Sequence, residues 1–300
     1  MFVSAVLLTV GGVCGLEIAL ELRCYRQELV APAGATVFVC GDSRTQMDLD
    51  PAHWPELFNF SASGRPIDQT YLTAKDVVAA NPGKFRTLLV DISSETAGAD
   101  YEASIGEMTS SKYFLLYLLH AEDRLRSFRG IVGVLRDSMV KERLKLVRRV
   151  LRGKRAFRSS LASGHRNHDE RWKQSSPERF ANLARHWTER AEKVFDDPAS
   201  RTRYWELLDR LIRWGEAQGL EVVLLTPPWH PDLICRSGVD RVRRFTAYVD
   251  GYARTRGLRY LNFIDAPFPE EQWLDGNHLN SRGAESFTKT VRRLVMEDRR

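Results

Sequence analysis

Val37-Phe38-Val39-Cys40-Gly41-Asp42-Ser43-Arg44 is the stretch whose reading decides the fold. An apolar, β-branched run stops abruptly at Gly-Asp-Ser. A strand buried on both faces of a parallel sheet has that composition, and open α/β sheets bind ligands at the carboxyl ends of their strands. Gly41 permits a tight exit and a close backbone approach. Ser43 then stands on the exposed turn, with its own N–H available to a developing oxyanion. Taken alone, Gly-Asp-Ser is more readily a turn or a helix cap than a nucleophile, and it is the strand before it and the Asp-x-x-His far downstream that reverse this. Asp42 suits both readings, because its carboxylate can accept backbone N–H bonds and hold the turn.

A serine nucleophile needs a base, and the base needs an orienter. Asp275-Gly276-Asn277-His278 stands near the other end of the chain, directly ahead of a helical pattern. His278 follows the fifth expected strand, which places it at the same sheet edge as Ser43. Two carboxylates compete to orient the imidazole: Asp275, three residues back on a Gly-containing turn, and Asp265, which ends the fifth strand. Asn277 and Asn280 suit the turn and the cap of the following helix. A metal site built from Asp42, His230, Asp275 and His278 is the chemical rival, but these residues lack local ligand spacing.

The strands expected around this site run from Thr36 to Cys40, Leu57 to Phe60, Arg86 to Ile92, Glu221 to Thr226 and Arg259 to Ile264. Helical patterns alternate with them. One runs from Tyr71 to Asn81, where Asn81-Pro82-Gly83 stops it. Tyr204, Leu207, Leu208, Leu211 and Ile212 stripe a second, and Val239, Val242, Phe245, Val249 and Tyr252 a third. The last carries Ala284, Phe287, Val291, Leu294 and Val295. Strands alternating with such helices imply a parallel sheet covered on both faces, a three-layer α/β/α sandwich with five parallel strands. His230 lies in Thr226-Pro227-Pro228-Trp229-His230-Pro231-Asp232, read as a rigid loop after the fourth strand. Trp229 and His230 are substrate-contact candidates there, the aromatic face suiting a sugar ring or an acyl group. Arg44 is a candidate for steering an anionic substrate, or else it caps its own turn.

In these blocks the chain resembles the SGNH, or GDSL, hydrolases. Gly41-Asp42-Ser43-Arg44 is similar to their first block, and Asp275-Gly276-Asn277-His278 to their last, Asp-x-x-His. The resemblance implies a Ser43–His278–Asp275 triad, and its spacing favours Asp275 over Asp265. Phe58-Asn59-Phe60-Ser61-Ala62-Ser63-Gly64 fits the second block, whose glycine N–H helps form the oxyanion hole; the match carries that role to Gly64. The third block, a Gly-x-Asn-Asp pattern, is missing. Leu88-Leu89-Val90-Asp91-Ile92-Ser93-Ser94-Glu95 stands in its place, so that either Ser93 or Ser94 is the substitute donor or the site holds only two backbone donors. The pattern, with Leu279-Asn280 and Gly283-Ala284, is most similar to membrane-anchored SGNH-like proteins of bacterial envelopes. It implies a serine esterase or O-acyltransferase that uses no cofactor and acts on a carbohydrate or cell-envelope polymer ester. It covers roughly residues 36–98 and 220–297. The alternative from another class is a catalytically inactive SGNH-like protein that binds a glycan or an envelope partner, favoured by the missing Asn block.

Three hundred residues suffice for one large α/β domain with an insertion. Residues 30–300 are expected to form that domain, interrupted by a basic helical insertion at about 100–200, where the strand-helix rhythm breaks. Tyr113-Phe114-Leu115-Leu116-Tyr117-Leu118-Leu119 is apolar all round, as in a core helix, a lid, or a surface on a bilayer. Residues 124–158 are strongly basic, and the net charge of +6 suits an anionic partner. They make either a solvated helix face or a contact with anionic lipid or polymer. Nucleic-acid binding ranks last, for want of aromatic platforms or a recognised module. The four cysteines (Cys14, Cys24, Cys40 and Cys235) form no zinc spacing or Cys-x-x-Cys.

Residues 1–22 carry an apolar run, broken by Glu17 and Glu21, that is marginal against the ~20 residues a spanning helix needs; a membrane anchor is expected, with a buried or amphipathic helix, or a leader cleaved after Ala31-Pro32-Ala33, as the alternatives. Arg23 and Arg26 follow it with nothing basic before it, so the positive-inside rule would put the domain in the cytoplasm. The resemblance implies the outer side, periplasmic or at the cell surface, and that is the placement expected here.

Overall fold

The computed structural model describes residues 22–23, 25–92, 120, 178, 181–182, 185, 189 and 198–297. The expected anchor, most of the basic insertion and Ser93 and Ser94 lie outside the described residues. No helix among the described residues is long and apolar enough to cross a membrane.

In chain order the elements are β1 (Val37–Cys40), α1 (Ser43–Asp48), β2 (Leu57–Asn59), α2 (Ile67–Ala80), β3 (Thr87–Asp91), α3 (Pro198–Ala217), β4 (Glu221–Thr226), α4 (Pro231–Ser237), α5 (Val239–Thr255), β5 (Arg259–Asn262) and α6 (Ser281–Glu297). The five strands form one parallel sheet in the spatial order β2-β1-β3-β4-β5. From β1 the chain first builds outward to β2, then returns to place β3 on the other side of β1. That reversal is a topological switch point, where the connections leave β1 in opposite directions and a crevice opens at the carboxyl ends. Ser43 follows β1, and Asp91 ends β3, so both stand at this crevice.

The strand side chains alternate between two cores, as the period of two requires. Phe38, Cys40, Leu88, Val90, Val222 and Leu224 pack on one face with α2, α3 and α5. Val37, Val39, Leu89, Val223 and Leu225 pack on the other with Trp54, Phe287, Val291 and Val295. The central strands are buried throughout, which is why they read as continuous apolar runs rather than alternating ones. The result is the three-layer α/β/α sandwich expected from the sequence.

Beyond shifts of one residue at the ends of β1, β2 and β3, three features differ from expectation. Helix α2 begins at Ile67, four residues early, because Pro66 supplies the extended cap from which it starts. Strand β5 ends at Asn262, whose side chain turns back to accept from Ile264 N at 3.1 Å. The segment after β4 holds a short helix, α4, where a loop was expected. His230 caps it, Pro231 occupies its first turn, and Asp232 is acidic there, all recognisable helix-start signals. A helical stretch at 25–28 is tied to α2: Tyr25 donates to Asp76 at 2.7 Å, and Asn81 grips both Ala31 N and Leu29 O.

Candidate active site

The nucleophile turn is built from the residue types its geometry demands. At Gly41 the backbone passes so close to Thr45 and Asp91 that an added Cβ would lie 2.5 Å from the Cβ of Asp91 and collide with the hydroxyl of Thr45. Only glycine lets β1 leave the sheet here. Asp42 then caps α1, its carboxylate accepting from Arg44 N at 2.8 Å. Ser43 is the first helical residue and is half-buried, within reach of solvent.

The loop after β2 is fastened beside this turn. Ala62 N donates to Gly41 O at 3.1 Å, Ser63 N to Gln46 at 3.1 Å, and the hydroxyls of Thr45 and Ser61 are 3.0 Å apart. Asn59 braces it, donating to Thr45 O and Leu49 O and accepting from Ser61 N. Gly64, exposed and at φ 68°, tops the loop in the left-handed region where glycine has no steric cost. Among the described residues no acceptor takes the N–H of Ser43 or of Gly64.

The base arrives from the far end of the chain. His278 Nε2 lies 2.9 Å from Ser43 Oγ, and Nδ1 lies 3.0 and 3.1 Å from the two carboxylate oxygens of Asp275. Asp275 Oδ1 also accepts from the backbone N–H groups of Asn277 and His278, both at 3.0 Å, which closes the turn on itself. With Asp275 ionised, Nδ1 is the donor and Nε2 presents its lone pair to the serine hydroxyl. Asp265, the competing carboxylate, is exposed, and the ring nitrogen facing away from Ser43 is paired to Asp275. Asn280 caps α6, accepting from Arg282 N at 3.0 Å and Gly283 N at 3.2 Å. Gly283 has no room for a side chain against Leu279, which lets the helix start directly beneath the histidine turn.

Two buried carboxyls complete the surroundings, and the sequence reading singled out neither of them. Asp48, the last residue of α1, is fully buried and accepts from Leu279 N at 2.9 Å. Burial pushes its carboxyl up to about 8, against the partial relief given by His278, the Leu279 N–H and Arg44. Asp91, at the end of β3, lies beside Asp42. Burial and the Asp42 charge push Asp91 well up, so it holds the proton of the pair. Asp42 stays ionised at about 2, because the Arg44 guanidinium and the proton on Asp91 outweigh its own burial. For His278, burial favours the neutral ring, but the hydrogen bond and charge of Asp275, reinforced by Asp48 and Asp42, outweigh it and raise the imidazole above 6.5.

Three substrate-contact expectations are corrected. Arg44 is fully buried, and its guanidinium pairs with Asp42 at 2.6 Å. It neutralises the carboxylate that holds the turn and presents nothing to a substrate. Trp229 is only 2% exposed and packs with Leu233, Val242 and Ile264 in a small satellite core. His230 is 9% exposed; its Nδ1 accepts from Asp232 N at 3.2 Å to cap α4, its ring stands edge-on to Trp273, and its backbone N–H holds Gly276 O at 3.1 Å. His230 therefore supports the Asp275–His278 turn from behind. Ser94 lies outside the described residues. Among the described residues no cluster of His, Cys, Asp and Glu could hold a metal ion. Cys40 is sealed in the core, where burial pushes its thiol up to about 12.

Two solved structures are similar in shape. One, provisionally described as an acylhydrolase of Bacteroides fragilis, has a TM-score of 0.47 at 10% identity, covering 93% of this chain and 97% of that one. The other, a GDSL-like lipase from Bacteroides thetaiotaomicron, has a TM-score of 0.42 at 10% identity, covering 93% of this chain and all of that one. No family model and no curated protein matches the chain. The features that stand on this chain itself are a five-stranded parallel sandwich, a serine turn after its first strand, and an Asp-x-x-His turn before its last helix.

Proposed function

We propose that this chain is a serine ester hydrolase or O-acyltransferase acting on an ester of a carbohydrate or cell-envelope polymer. The observation that carries the reading is the unbroken relay Ser43 Oγ, His278 Nε2, His278 Nδ1, Asp275. Ser43 Oγ attacks the carbonyl carbon while His278 Nε2 takes its proton. The same proton then goes to the departing alkoxide oxygen, leaving an acyl-Ser43 ester. An incoming hydroxyl, from water or from a sugar, gives its proton to His278 and attacks that ester, and Ser43 is restored. Water as acceptor makes an esterase; a sugar hydroxyl makes an acyltransferase. Asp275 keeps the imidazole in the required tautomer and stabilises the imidazolium. The N–H groups of Ser43 and Gly64 supply the oxyanion donors, each worth about 3 kcal/mol in the barrier, with Ser94 as the third.

The substrate class rests on the sequence resemblance. So does the setting: residues 1–22 would tether the domain to a membrane with its site on the outer side, and residues 124–158 would meet anionic lipid or polymer. The test is reaction of the full chain with a fluorophosphonate probe. Labelling that is lost in Ser43→Ala supports the hydrolase reading, and acyl transfer from a labelled donor to a sugar, measured against release to water, separates its two forms. A folded protein that does not label points instead to the glycan- or partner-binding reading, which the missing Asn block favours.

A further inference from the structure

Helix α1 touches the histidine turn at both of its ends. Ser43, its first residue, meets the His278 ring at 2.9 Å, and Asp48, its last, accepts from the backbone N–H of the next residue, Leu279, at 2.9 Å. The far end of the helix is itself pinned to α6: Thr288 Oγ1 donates to Asp48 O at 3.2 Å and accepts from Asp50 N at 2.9 Å. A helix of six residues thus fixes the separation between nucleophile and base.

The choice of a carboxyl for this job is costly. Asp48 is fully buried, and its second oxygen, Oδ2, is sealed from solvent with no hydrogen-bond partner among the described residues. An amide would accept from Leu279 N equally well, without the penalty of a buried carboxyl. Below about pH 8 the buried carboxyl holds its proton and is as neutral as an amide, so what it contributes there is the acceptor oxygen. The charged groups acting on Asp48 are His278, Arg44 and Asp275, and those acting on His278 are Asp275, Asp48 and Asp42.

We infer that Asp48 is a positioning residue for the base: it locks the turn that carries His278 onto the nucleophile helix. This rests on the Ser43–His278 reading above for its catalytic consequence, though not for its structural one.

The test compares wild type, Asp48→Asn and Asp48→Leu in the full chain. Fluorophosphonate labelling is followed against pH, and hydrogen exchange of the Leu279 amide and the His278 ring titration are followed by NMR. Asp48→Leu is expected to label at least tenfold more slowly and to exchange the Leu279 amide at least tenfold faster. Asp48→Asn, which keeps the acceptor and is as neutral as the protonated carboxyl, is expected to recover most of the rate and to leave the Leu279 exchange and the His278 midpoint near wild type. Labelling of Asp48→Leu at the wild-type rate would overturn the inference. If Asp48→Leu does not fold, Asp48→Ala is read in its place, and wild-type labelling and Leu279 exchange in it overturn the inference. A wild type that does not label defeats the nucleophile reading alone. In that case unchanged exchange of the Leu279 amide in Asp48→Leu would overturn the positioning role separately.

Discussion

Asp275 holds the Nδ1 edge of His278 with both of its carboxylate oxygens, at 3.0 and 3.1 Å, while the same carboxylate closes the turn through two backbone N–H groups. Asp275→Asn keeps the shape and loses the preference for one tautomer. The rate of serine labelling should fall by about 10³–10⁴, with little change in the thermal midpoint. Stopped-time labelling alongside circular dichroism checks this, and a loss of fold in step with the rate would contradict it.

The raised imidazole sets the pH dependence. Only the neutral ring can take the serine proton, so labelling should climb with pH through a midpoint above 6.5. Asp275→Asn removes the first of the causes that raise the ring and should move the midpoint down. The sign for stability is opposite. The extra stability of the imidazolium in the fold is fully present below about pH 6.5 and is lost as pH rises through the folded value. A pH series of labelling rates and melting curves on the same samples reads both.

Asp48 adds a stability effect of its own. Its carboxyl holds a proton in the fold up to about pH 8 but in the unfolded chain only to 3.8, so its contribution falls steadily between those values. Asp48→Asn should therefore gain on wild type as pH rises from about 4 to 8. Urea denaturation at several pH values checks the trend; parallel curves would contradict it.

Arg44→Met tests whether that guanidinium is internal support. Removing it leaves Asp42 charged, buried and without its cation, which should cost about 3–5 kcal/mol. An external, substrate-steering arginine would leave stability unchanged and raise the KM for anionic substrates.

Gly41→Ala places a methyl group against Thr45 and Asp91. Overpacking at this point should destabilise by about 1–3 kcal/mol and slow labelling as well, since the turn that carries Ser43 must shift. Chemical denaturation with parallel labelling measures both.

The parts of this site that are local in the chain were legible in it. Val37 to Cys40 ending in Gly-Asp-Ser announced a buried strand and its exit, and Asp275 and His278 are three apart, close enough to read as a turn. The supporting groups were not legible, because burial is a property of the assembled layers. Nothing near Arg44 says that its charge faces inward to Asp42, and nothing near Asp48 says that Leu279, 231 positions later, will donate to it. Trp229 looked like an exposed aromatic face because a loop was expected after Pro227-Pro228. The start of α4 at His230-Pro231-Asp232 carried its own cap signals, and reading them would have put Trp229 at a packed helix entrance rather than on a surface.

The central claim is that Ser43 is a nucleophile activated by His278. The most direct measurement is mass spectrometry of the full chain after reaction with a fluorophosphonate, with Ser43→Ala and His278→Ala treated in parallel. The account predicts one adduct on Ser43, absent from the Ser43 variant and formed at least a thousandfold more slowly in the His278 variant. An adduct on another residue, or equal labelling of Ser43 with and without His278, would contradict it.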